Sequence, residues 1–176
     1  KSSNLCNEKQ VLNIESVLKK YGRELEESKM MEKMIPRHFT EDKLEQLSEN
    51  QRFSGKQNHL NSLDMALSEP IWDLLDRGGK RWRPVLAMLI AEFLADSEVG
   101  FGDCGFGEVI HNGSLIVDDI EDSSDLRRNK PCVHKIYGVD VAINAGNFMY
   151  FTPMQHIYKS NVFSPRLKLD LVKIYL

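Results

Sequence analysis

No stretch of this chain alternates polar and apolar residues with a period of two. Its apolar residues instead recur at three- and four-residue spacing, which leaves helices as the way to bury them. Val11, Ile14, Leu18, Tyr21 and Leu25 set one amphipathic helix over 9–34, with Met30, Met31 and Met34 as filler for a core or interface. A polar segment over 36–56 reads as a short helix flanked by loops. Residues 58–77 predict a helix interrupted at Pro70, because proline lacks the N–H that the turn needs. Gly78-Gly79 ends it, glycine being suited to a left-handed cap. Residues 84–95 are apolar almost all round, which predicts a helix buried on most sides. A Gly- and Asp-containing connection follows over 96–105, then a helix over 106–124 and a polar loop over 125–131. Further helices are expected over 132–137, 139–160 and 165–176, with Pro153 as a possible kink and Pro165 as a start. The fold class is therefore all-α.

Composition narrows the function. The formal net charge is -3, which gives no reason to expect nucleic acid. Cys6, Cys104 and Cys132 are widely spaced and odd in number, so they suggest neither a zinc site nor a disulfide framework. A reducing, intracellular compartment is expected, with cytoplasm and organelle left open. No apolar run reaches about 18 residues, so no membrane span is expected. The apolar C-terminus, without a stop signal, suggests that the chain ends inside an element and that more protein follows.

Against this background Asp118-Asp119-Ile120-Glu121-Asp122 stands out. Four carboxylates in five residues repel one another unless a cation compensates them, and Mg2+ is commonly shared between carboxylates and substrate phosphates. On a helix, positions 111, 118, 122 and 125 fall on one side, with Ser114 near the same stripe. His111 and Asp122 stand roughly 16 Å apart along the axis, room for two ligands. Arg127-Arg128 follows at once. A second cationic element, Gly78-Gly79-Lys80-Arg81-Trp82-Arg83-Pro84, lies at a glycine break before the apolar helix. Two glycines let backbone approach an anion, and Arg grips phosphate through two N–H groups. Trp82 is expected to anchor this loop in the core. His134 and Tyr137 are read as packing residues, and Cys132 as an unreactive thiol.

Over roughly residues 64–160 the chain resembles the trans-isoprenyl diphosphate synthases. The likeness rests on the glycine-basic element, on Ile110 to Asp122, on Asp125-Leu126-Arg127-Arg128-Asn129-Lys130-Pro131, on Val133 to Gly138 and on Ala145-Gly146-Asn147. The resemblance implies a bundle of α-helices around a deep central cavity, usually a homodimer, preceded by an N-terminal extension over 1–55. It implies that Asp118 and Asp122 hold Mg2+ with Asp119 supporting them. Lys80, Arg83 and His111 match the positions that hold isopentenyl diphosphate, Arg127 the contact to the allylic diphosphate, and Arg128 a further contact to isopentenyl diphosphate. Small residues at Gly113 and Ser114, five and four before Asp118, imply a tunnel open to geranylgeranyl or longer products. Asn129 stands where the family usually has Gly, Asn147 where it usually has Asp, and no Asp pair follows Asp119. That last departure keeps open a non-catalytic regulatory subunit. A helical scaffold with a Ca2+-binding acidic end is the reading from another class.

Overall fold

The computed structural model describes residues 29–47, 57–79, 81–95, 105–161 and 163–175. Most of the helix expected over 9–34 lies outside them, as do Cys6, Lys80, Cys104 and most of the 96–105 connection. The described residues form α1 (Met30–Met34), α2 (Glu41–Leu47), α3 (Gln57–Leu63), a π-helical segment (Asp64–Ser68), α4 (Glu69–Asp76), α5 (Trp82–Ala95), α6 (Phe106–Glu121), α7 (Val133–Tyr137), α8 (Val139–Lys159) and α9 (Pro165–Tyr175). The fold is all-α apart from a hairpin of two short antiparallel strands, β1 (Leu126–Arg127) and β2 (Lys130–Pro131). The sequence reads this hairpin as a loop.

Local chemistry explains the boundaries. Thr40 Oγ1 accepts the Lys43 N–H at the start of α2, and Ser164 Oγ accepts the Leu167 N–H at the start of α9, with Pro165 in the first turn. Gly78 takes φ +77° behind α4 and donates back to Leu75, the left-handed cap expected of it. Pro70 does not break its helix. The five residues before Glu69 widen to π geometry, which moves the hydrogen-bond register at the point where proline has no N–H to give.

Fully buried Ile71, Leu74, Val109, Ile116, Ala142, Ala145 and Met149 build the core. Met31, Met34 and Ile35 join the same cluster, so the described end of the N-terminal region packs with the rest rather than apart from it. The α6–α8 crossing is close because glycines meet there. A Cβ at Gly113 would lie 2.9 Å from Met149 Cβ and 3.1 Å from the Gly146 carbonyl, and one at Gly146 would lie 3.2 Å from the Gly113 carbonyl. Gly113 is thus small where another backbone needs the space.

Two further expectations are corrected. Helix α5 buries Val85 and Met88 but exposes Leu86, Ile90 and Phe93, because its chief described neighbour, α6, covers one side only. Trp82 is not in the core; it is half-exposed, with the Arg83 guanidinium over its ring at 4.7 Å.

Candidate functional site

Helix α6 ends at Glu121 with Asp122 as its C-cap, so its last turn presents Asp118, Glu121 and Asp122 to solvent. Asp118 and Asp122 are one turn apart on one side, as the spacing requires. They stand on an open face of the described residues. Asp119, expected to support the metal, turns inward and is 1% exposed. Its carboxylate is gripped by Arg127, through Nη2 at 2.6 Å and Nε at 3.0 and 3.1 Å. The Cys132 thiol, fully buried, bonds to the same carboxylate. Burial and that acid push the thiol up to about 11, which fits an unreactive cysteine.

Arg127 reaches Asp118 Oδ2 at 3.3 Å with the nitrogen that holds Asp119. These carboxylates and the desolvation they offset leave the guanidinium more firmly protonated than usual. The hairpin delivers it. Arg128 and Asn129, between the two strands, have φ +54° and +60°, so both turn residues are left-handed. Asn tolerates that geometry better than most residues. Arg77, from the end of α4, supports the strand by donating Nη1 to the Arg127 carbonyl at 3.0 Å and Nη2 to Asp73 at 2.5 Å.

Arg128 faces the other way. Its Nη1 donates to the Leu74 carbonyl at 3.1 Å and Nη2 to Asn112 Oδ1 at 2.8 Å. It passes 3.2 Å from where a Cβ at Gly79 would stand, so this glycine makes room for the guanidinium. His111 is half-buried on α6, and Ser114 Oγ donates to its carbonyl. Burial first, then the charges of Arg83, Arg128 and Arg127, lower the His111 imidazole, while Glu108 opposes them. The ring therefore favours its neutral form at neutral pH. Arg83 from α5 and Arg127 and Arg128 from the hairpin thus all act electrostatically on His111 of α6; Lys80 lies outside the described residues. His134 keeps a buried Nδ1 without a hydrogen-bond partner, and Tyr137 packs against the core.

Sequence reasoning passed over Glu108, Asn112 and Arg77. The signal for the first two was present: an acid in an apolar first turn, and an amide four residues later on the same side.

Among the described residues no three His, Cys, Asp or Glu side chains converge as a ready-made metal cage. Asp118 and Asp122 nevertheless fit Mg2+, which keeps its waters and needs only one or two carboxylates beside substrate phosphate. No described helix is long and apolar enough to cross a membrane.

The chain is similar to known proteins in sequence and in fold. The chain is 41% identical over 124 residues to geranylgeranyl pyrophosphate synthase 7, chloroplastic, of Arabidopsis thaliana, an alignment covering 63% of this chain and 35% of that protein. It is 37% identical over 101 residues to a geranylgeranyl pyrophosphate synthase of Dictyostelium discoideum, covering 57% and 33%. The chain thus spans about a third of the length of these curated relatives. A crystal structure of a geranylgeranyl pyrophosphate synthase superposes with a TM-score of 0.60 at 25% identity, covering 92% of this chain and 40% of the other. The enzyme from the archaeon Geoglobus acetivorans superposes at 0.62 with 22% identity over 91% and 43%, a likeness of fold. The polyprenyl synthetase family model matches residues 64–175, most of the chain and all of the site, and this chain belongs to that family.

Proposed function

We propose that this protein is a prenyltransferase that joins isopentenyl diphosphate head-to-tail to an allylic diphosphate, with geranylgeranyl diphosphate or a longer chain as product. The observation that carries the reading is the Arg127 clamp. Asp119 holds the guanidinium through two nitrogens beside the exposed Asp118, which leaves Nη1 uncommitted among the described contacts.

Asp118 and Asp122 would hold Mg2+, which supplies electrostatic neutralisation of a departing diphosphate. Asp119 fixes the direction of Arg127, so that its positive charge is already in place where negative charge grows on the allylic leaving group. Arg83, Arg128 and His111, with Lys80 by resemblance, would bind the diphosphate of the second substrate. A neutral His111 donates or accepts a hydrogen bond without adding to the repulsion among these cations. Loss of diphosphate leaves an allylic cation, the isopentenyl double bond attacks it, and loss of a proton completes the product.

The partner is a second copy of the chain. Val139, Ile143, Phe151 and Tyr158 are exposed apolar side chains on α8, surface for a second copy to cover. Full-length protein incubated with isopentenyl diphosphate, each allylic diphosphate and Mg2+ tests the reading, with products sized by chromatography. Mg2+-dependent chain extension is expected. Diphosphate binding without turnover would support the regulatory-subunit reading instead, and neither binding nor turnover would end both.

A further inference from the structure

Glu108 and Asn112 lie one turn apart near the start of α6 and are 4% and 1% exposed. Asn112 Nδ2 donates to the Glu108 carbonyl at 2.8 Å and to Glu108 Oε1 at 3.0 Å. An amide that commits its N–H groups to one side has its carbonyl directed to the other. That carbonyl accepts Arg128 Nη2, while Leu74 holds Nη1. A guanidinium carries five N–H donors, so two anchors still leave three for a ligand. The backbone beneath it is left-handed, a conformation costly for an arginine, which fixes the angle at which the side chain leaves the turn. Burying an acid and an amide has no advantage for stability over apolar residues of the same shape. What the pair does provide is direction.

We propose that Glu108 and Asn112 are positioning residues: Glu108 orients the Asn112 amide, and Asn112 aims Arg128 at the diphosphate of isopentenyl diphosphate. The inference rests on the prenyltransferase reading above.

Steady-state kinetics of the full-length enzyme test it. Asn112→Leu removes the carbonyl and is expected to raise KM for isopentenyl diphosphate at least about tenfold, while KM for the allylic diphosphate and kcat stay within about threefold. Glu108→Leu acts in the same direction, and Glu108→Gln, which keeps the acceptor, restores the KM. Equal rises in both KM values, a fall in kcat alone, or a Glu108→Gln variant as impaired as Glu108→Leu would overturn the proposal. Should Asn112→Leu lack a cooperative melt, Asn112→Asp decides. It cannot donate to Glu108 and it neutralises Arg128 internally, so the same selective KM rise is expected, and a wild-type KM overturns it. Wild-type protein without condensation would sink the function and the inference together; an active wild type with unaltered variants would sink the inference alone.

Discussion

Replacing Asp119 with Asn isolates the clamp at the centre of the site. Asn keeps the shape of the side chain but removes the charge and half of the acceptor capacity. Three contacts of 2.6–3.1 Å to Arg127 are at stake. Breaking a fully buried ion pair costs about 3–5 kcal/mol, because the partner stays behind unpaired. Here the Asp119 side chain is 2% exposed but that of Arg127 is 28% exposed, so water compensates part of the loss and about 2–3 kcal/mol is expected. At about 2–4 °C per kcal/mol for a chain of this size, Tm should fall by about 4–12 °C. The assay is thermal unfolding of the Asp119→Asn, Arg127→Gln and doubly substituted proteins. The double variant should lose less than the sum of the singles, with a coupling of about 1–2 kcal/mol. A Tm unchanged within about 1 °C, or strictly additive losses, would refute the clamp.

Gly113→Val should lower the urea midpoint by an amount equivalent to about 2–3 kcal/mol, since overpacking against Met149 and Gly146 outweighs the small gain in helix propensity. A stable Gly113→Phe protein that makes shorter products would show instead that this position faces a channel. Asn129→Ala should cost about 1 kcal/mol in denaturant unfolding and Asn129→Gly close to nothing, because the position has φ +60°. Cys132, held up to about 11 against an ordinary 9.0, should react with a disulfide reagent at pH 8 at least about 100-fold more slowly than free cysteine. Its folded value lies above its unfolded one, so its contribution is complete below pH 9 and is lost as pH rises toward 11; Cys132→Ser should flatten that alkaline decline.

The helices were legible because their apolar spacing is a property of neighbouring positions. So was the acidic end of α6, since carboxylates so dense in an otherwise apolar helix have no packing explanation. What could not be read was whatever depends on a partner distant in the chain. Asp118, Asp119 and Asp122 are chemically equivalent in sequence, yet Asp119 is buried under Arg127 while Asp118, which Arg127 also reaches, and Asp122 stay exposed. Gly113 has two good explanations until α8 is seen against it. Helix α5 is apolar all round, and composition alone does not reveal which side a neighbour covers. Trp82 offered a large apolar surface, but Arg83 met it outside the core.

The π-helical stretch before Glu69 carries a consequence for how the two ends of this region are phased. Each residue turns a helix by about 100°, so one extra residue in a turn re-aims everything beyond it. Ser68, at the end of that stretch, and Trp72 beyond it both donate to the Pro36 carbonyl, and Arg37 pairs with Asp76 across the ring of Trp72. At its first residue, Asp64 accepts the Phe39 N–H. Deleting a single residue between Asp64 and Ser68 would restore a regular spiral and leave these two docking points out of step. The N-terminal segment could then satisfy one of them but not the other, and the arm that bears Gly78 and Gly79 would swing away from Arg128.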